Sequence, residues 1–125
     1  MTMSAVTSLS LDPPRFLVCM DHRARTLAAI SSSQVFCIHV LNEHQHDLSV
    51  HFAKPQDRRF NGVPYRVGHT GAPILEDVIA FVECRLTEIH TSGDHAIVIG
   101  DAVHGEALGG QPLGYFHGGY YRLDV

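Results

Sequence analysis

Three short stretches hold the side chains best placed to do chemistry. The chain opens on hydroxyls at Thr2, Ser4, Thr7, Ser8 and Ser10. Hydroxyls and exposed main-chain amides on an irregular strand can bind the edge of a flavin ring, a ribityl chain or a phosphate. The same run also reads as a plain polar strand or a fraying terminus. Asp21-His22-Arg23-Ala24-Arg25-Thr26 lies between an apolar run and a helix-like segment. There, free N–H groups, the helix dipole and two guanidinium groups would favour an anion; without a ligand it is an ordinary charged turn. Gly93-Asp94-His95 is a turn opening into a strand. A histidine at that place can bond a nicotinamide or flavin carbonyl or donate a proton, or serve the turn alone.

Other chemistries find little support. Of the ten histidines, His44 and His51 would share a face with Asp47 on a helix over 43–53. No HExxH or Cys/His zinc spacing accompanies them, so a solvated polar face is the better reading and no metal is expected. No Rossmann or Walker glycine pattern is present, and no nucleophile elbow. Cys19, Cys37 and Cys84 are widely spaced in apolar runs and read as core thiols of a reducing compartment.

The elements that must position these residues follow from periodicity. Residues 16–20 are a continuous apolar run of strand length. The segment 24–32 is helical, with Leu27, Ala28 and Ile30 inward, and 35–41 is a second strand. Asn42 suits the N-cap of the helix over 43–53, on which Leu48 and Phe52 share a face. Residues 54–70, with prolines, glycines and charges, read as a long surface loop. From residue 78 onward, period-two alternation, the Thr91-Ser92-Gly93-Asp94 turn and a short aromatic strand broken at Gly118-Gly119 predict three sequential antiparallel strands. The expected fold is mainly β, with one or two helices packed outside a closed or partly closed barrel.

With 125 residues, 45% apolar and 18% charged, the chain suits one globular domain over 1–125. A net charge of −4 provides no basic surface for nucleic acid. Its apolar runs are too short to span a bilayer and no signal peptide is visible, so a cytoplasmic location is expected.

The order of the motifs is more specific than any one of them. Met1-Thr2-Met3-Ser4-Ala5-Val6-Thr7-Ser8-Leu9-Ser10-Leu11-Asp12-Pro13-Pro14 resembles the opening of the flavin reductase-like, FMN-binding split-barrel family. The resemblance continues through Phe16–Met20, His22–Thr26, Phe36–Leu41, Phe60–Val63, Gly71–Leu75, Phe81–Arg85, Gly93–His95, Pro112-Leu113 and Gly118–Tyr121. It implies an antiparallel Greek-key split barrel, a homodimer, FMN or FAD as bound flavin, NADH or NADPH as reductant, and a partner monooxygenase supplied with reduced flavin. By position, Thr2, Ser4, Ala5 and Val6 would line the isoalloxazine and ribityl, and Ser10 and Leu11 would continue that wall. Arg23, Arg25 and Thr26 would hold the phosphate, and His95 would stand near the nicotinamide as the catalytic candidate.

Two positions depart from the family: Ala24 stands where a serine is common, and His39 where asparagine is usual. Relatives also carry some tens of residues, with one or two strands, before the Met-Thr motif. The chain starts at that motif, which sets the expectation of a domain lacking those strands, with an unpaired sheet edge and weakened flavin binding. Rival readings are a flavin-binding module without reductase activity and a related split-barrel oxidase or haem-associated protein.

Overall fold

The computed structural model describes residues 1–55 and 59–124. In chain order the elements are β1 (Val6–Leu11), β2 (Pro14–Asp21), α1 (Arg25–Ser33), β3 (Val35–Val40), α2 (His46–Ala53), β4 (Tyr65–Val67), β5 (Pro73–Leu75), β6 (Ala80–Ser92), β7 (His95–Ala107), β8 (Leu113–Phe116) and β9 (Gly119–Arg122). Five strands make one sheet in the order β1-β2-β7-β6-β3, with every pairing antiparallel. From β2 the chain crosses to the far edge at β3, then returns through β6 and β7 to lie beside β2, a Greek-key path. Among the described residues β1 and β3 remain edges, so the barrel is open.

Alternation along the strands divides the core between the two faces of the sheet. On one face Val18, Met20, Phe36, Cys84 and Val98 pack under Ile30 of α1, with Val82 and Leu86 beside them. On the other, Phe81 of β6 packs with Ile74 of β5 and with Val78. Gly100 makes room for the Phe36 ring on the first face, since a Cβ there would stand 2.7 Å from that ring. Glu83 also points to the second face and is fully buried. Its carboxylate accepts from the Thr70 N–H (2.9 Å), the Thr70 hydroxyl (2.7 Å), the His69 N–H (3.2 Å) and His104 Nδ1 (2.9 Å). Those bonds tie the β4–β5 hairpin to the sheet.

Three sequence expectations need correction. The 54–70 segment is not structureless: Tyr65–Val67 forms β4 and pairs with β5, while positions 56–58 lie outside the described residues. The second helix begins at His46 and not near Glu43, and Gln45 is its N-cap. Asn42 instead caps the preceding turn, its Oδ1 accepting the His44 N–H at 2.7 Å and its amide donating to the Asp77 carbonyl at 2.6 Å. Finally, residues 113–122 do not add a third strand to the β6–β7 hairpin. They form their own hairpin, β8–β9, in a separate two-stranded sheet.

Candidate functional site

The N-terminal stretch is held by α2. The Thr2 hydroxyl donates to the Ser49 carbonyl at 2.6 Å, and the Thr2 N–H donates to the Phe52 carbonyl at 3.2 Å. Thr2 is therefore a strut for its segment, with both donors spent on protein. Ser4 and Ala5 lie exposed beyond it. The Ala5 carbonyl accepts the Cys19 N–H, and the Val6 N–H is taken by the Ser4 carbonyl at 3.0 Å. Hence of the expected ring-lining residues, Ser4 and Ala5 are exposed, and Val6 packs against the core cluster that includes Val18.

At the start of α1, Thr26 stands opposite a residue the sequence reading passed over. Arg59 donates through Nη1 to the Thr26 hydroxyl at 3.4 Å. The Arg59 carbonyl accepts from His51 Nε2 at 2.6 Å, and the next ring, Phe60, packs between Phe52 and Tyr65 at centroid distances of 5.3 and 5.2 Å. Burial, aided by the Arg59 charge, lowers the pKa of the Met1 amino group. Thr2 and Thr26 are thus linked through the end of α2 and Arg59-Phe60. A guanidinium set beside an aromatic in a loop was the available sequence signal for this segment, but its closeness to Thr26 spans 33 residues and follows from the fold.

Arg23 and His95 occupy a neighbouring corner. Asp21 and His95 are Cα partners across β2 and β7. His22 donates through its N–H and Nδ1 to the Asp94 carbonyl, at 3.0 and 2.8 Å, which locks the two turns together. Arg23 is already engaged: its N–H, Nε and Nη2 reach the Asp21 carboxylate at 2.8, 3.1 and 3.1 Å. Those bonds hold the Asp21 carboxyl well below the usual carboxylate range. His95 Nδ1 lies 2.8 Å from Asp94 Oδ1, with the side chain half exposed. The His95 contact in turn lowers the Asp94 pKa. Asp21 and Asp94, which orient these two candidates, lie inside the motifs read from the sequence, where no separate role was given to them.

Ser10 and Leu11 are not brought to either corner. They lie at the opposite end of β1, about 15 Å along the strand from Val6 by the usual rise per residue, and Leu11 is 89% exposed.

The remaining side chains narrow the chemistry. Burial pushes the Cys37 and Cys84 thiols up to about 12, so both stay protonated and are poor nucleophiles. The helical histidine face does not form: His44 precedes α2 and contacts Glu43 at 3.4 Å, Asp47 points outward, and His51 is bonded to Arg59. Among the described residues no three His, Cys, Asp or Glu side chains converge as a metal site. Among the described residues no helix is long and apolar enough to cross a membrane. What the two corners offer is exposed main chain and hydroxyls, with arginines at the α1 start. That donor set suits a polyhydroxylated phosphate ester such as a flavin nucleotide.

Known proteins resemble this chain in sequence and in fold. The chain is 37% identical over 124 residues to the stachydrine N-demethylase reductase subunit of Rhizobium meliloti strain 1021, covering 99% of this chain and 54% of that protein. It is 35% identical to an FMN reductase (NADH) of Rhizobium rhizogenes strain K84, covering 96% of this chain and 71% of the relative. The NADH:FAD oxidoreductase of Streptomyces globisporus, solved with NAD and FAD fragments, superposes with a TM-score of 0.90 at 26% identity, covering 96% of this chain and 74% of the other. The chain spans 39%, 54% and 64% of the length of three curated relatives that it matches. The flavin reductase like domain pattern matches residues 1–124, and the chain belongs to that family.

Proposed function

We propose that this chain is an NAD(P)H-dependent flavin reductase, a single flavin-binding domain that works as a homodimer in the cytoplasm and passes reduced flavin to a partner monooxygenase. One observation carries the reading. The Thr2–Ala5 segment is fastened to α2 so that Ser4 and Ala5 face outward, in the region where Thr26 and Arg59 meet. The names of the relatives, reductases and reductase subunits among them, point to the same chemistry.

When bound, FMN or FAD serves as the hydride acceptor and NADH or NADPH as the donor. The chain's own part is placement. Ser4 and Ala5 offer main chain and a hydroxyl to the ring edge, and Arg25 and Thr26 hold the phosphate. His95, steadied by Asp94, presents an imidazole to the nicotinamide carboxamide. Arg23, bound to Asp21, shapes the turn and adds a cation that Asp21 largely neutralises. No covalent nucleophile is required, in keeping with the two thiols held protonated.

Stopped-flow absorbance under nitrogen tests the reading. Protein with FMN should lose the flavin band on addition of NADH or NADPH, and the rate should exceed that of free FMN. Retention of FMN without bleaching would instead identify a binding module, and the reductase reading would fail.

A further inference from the structure

Resting on the reading of His95 as the group that meets the nicotinamide, we infer that His22 is a positioning residue for flavin reduction, acting on the His95 ring through Asp94. The β6–β7 turn consists of Gly93 and Asp94, between the paired Ser92 and His95. Gly93 has a φ of +58°, the backbone that the first position of such a turn needs. Asp94 belongs to the turn, so its carbonyl lies outside the β6–β7 ladder and takes its bonds from elsewhere. Both come from His22, whose N–H donates at 3.0 Å and whose Nδ1 donates at 2.8 Å. A carbonyl oxygen can only accept, so Nδ1 carries a proton in this contact.

Two donors on one carbonyl oxygen fix the plane of the Asp94–His95 peptide, and with it the direction in which both side chains leave the backbone. On those side chains Asp94 Oδ1 stands 2.8 Å from His95 Nδ1. Asp94 is 83% exposed and His95 52%, and an exposed contact of this kind holds its geometry weakly on its own. The ring therefore depends on the turn, and the turn on His22. Asp21 is the Cα partner of His95 across β2 and β7, but its carboxylate is engaged by Arg23, so Asp94 is the carboxylate that orients the ring. The role requires no contact of His22 with either nucleotide.

Three measurements on the full chain test this. His22 is half exposed and His22→Ala retains the main-chain bond, so the variant keeps the fold. The first measurement needs no cofactor. In NMR titrations the Asp94 carboxyl, held below its ordinary range by His95, should move back toward that range in His22→Ala, as it does when His95→Ala removes the bond outright. His22→Asn, whose amide nitrogen stands where Nδ1 stood and donates alike, should restore the parent behaviour. His104, on the far half of β7, should keep its ring signals throughout and so controls for the fold. The second is a fluorescence titration, in which His22→Ala should bind FMN within about twofold of the parent, since the Thr2–Ala5 segment is held by α2. The third is the rate of flavin reduction under nitrogen at saturating NADH or NADPH. It should fall about three- to tenfold in His22→Ala, the range for one lost neutral hydrogen bond, and return in His22→Asn. In a His95→Ala background, His22→Ala should cost nothing further, because the ring it positions is gone.

A His22→Ala chain that reduces flavin at the parent rate overturns the inference, as does an Asp94 carboxyl that does not move. Rate losses that multiply in the double variant would show that His22 acts apart from His95, and overturn it too. A weakening of FMN binding that matches the rate loss would assign His22 to the fold instead. If His95→Ala itself reduces flavin at the parent rate, the reading of His95 fails and takes this inference with it. A parent chain that bleaches no flavin with either reductant removes the reductase reading as well.

Discussion

His39 accepts the Leu75 N–H through Nε2 at 3.1 Å, a bond that only an unprotonated Nε2 can make. Burial, with the nearby amino-terminal charge, lowers its pKa from 6.5 to about 4. In the unfolded chain the ring takes up a proton near 6.5, while the folded chain resists until about 4. Stability contributed by the neutral ring is therefore full above the upper value and lost as pH falls toward the lower one, on the order of 3 kcal/mol in all. Asparagine can accept the same N–H and does not titrate. In urea unfolding at stepped pH, His39→Asn should flatten the decline between those two values. An unchanged slope would mean that another group is responsible.

Glu83 acts in a lower window. Burial pushes its carboxyl up, but the bonds from Thr70, His104 and His69 outweigh that and bring it down from 4.5 to about 2. Its stability is present above 4.5 and fades as pH falls through 2. Glu83→Ala leaves the part-buried Thr70 and His69 donors without their acceptor and should cost about 1–3 kcal/mol near neutral pH, read from the same unfolding curves. Glu83→Gln, which keeps one acceptor, should cost less. A loss under about 1 kcal/mol for the alanine variant would show that water replaces the carboxylate there.

At the level of elements, the β8–β9 hairpin is docked by main chain just past β3, where the Leu113 N–H donates to the Leu41 carbonyl at 3.0 Å and the Glu43 N–H to the Gln111 carbonyl at 2.9 Å, and also by side chains. Tyr120 Oη lies 2.8 Å from Ser49 Oγ, with the ring edge-on to His46 at 4.4 Å. Arg122 grips Glu43 through two bonds of 2.9 and 3.0 Å. Because Ser49 also carries Thr2, the hairpin braces the helix that sets the N-terminal segment. Tyr120→Phe removes one bond and should lower unfolding free energy by about 1 kcal/mol. It should also weaken FMN binding a few-fold, with Phe retaining the ring contacts. Unaltered stability and affinity together would show that the hairpin and the site are independent.

The sequence reveals elements in proportion to their length and regularity. β6 and β7 run for 13 residues each and alternate over enough of that length, despite two bulges between them, for both strands and their turn to be visible. β4 and β5 have three residues each among glycines and prolines, too few for a period to register. The start of α2 was misplaced because Asn42 does cap a turn, one that ends before the helix begins. In the site, Thr2, Thr26 and His95 stood out by residue type. Their partners Ser49, Arg59 and Asp94 are ordinary residues given a role by contacts made across the fold, or, for Asp94, by a neighbour's geometry.

For the whole molecule, the distribution of apolar surface bears on assembly. Leu11 is 89% exposed, Phe116 74% and Val67 70%, on three different hairpins. Tyr115, Tyr121 and Leu123 extend the patch around Phe116. Scattered single residues would need no explanation, but a contiguous aromatic patch and an edge strand, β1, bearing Leu9 and Leu11 favour burial against another chain. A second copy is the occupant that a closed, two-fold interface would supply. Light scattering at tens of micromolar should then give twice the 13.8 kDa of one chain. Leu11→Glu and Phe116→Glu should separate the two surfaces. The one that lies in the interface shifts the mass to a single chain while circular dichroism stays that of the parent. The other leaves the dimer intact. A parent chain that already runs at single-chain mass, with or without saturating FMN, would reject the homodimer and leave the flavin site to be built within one chain.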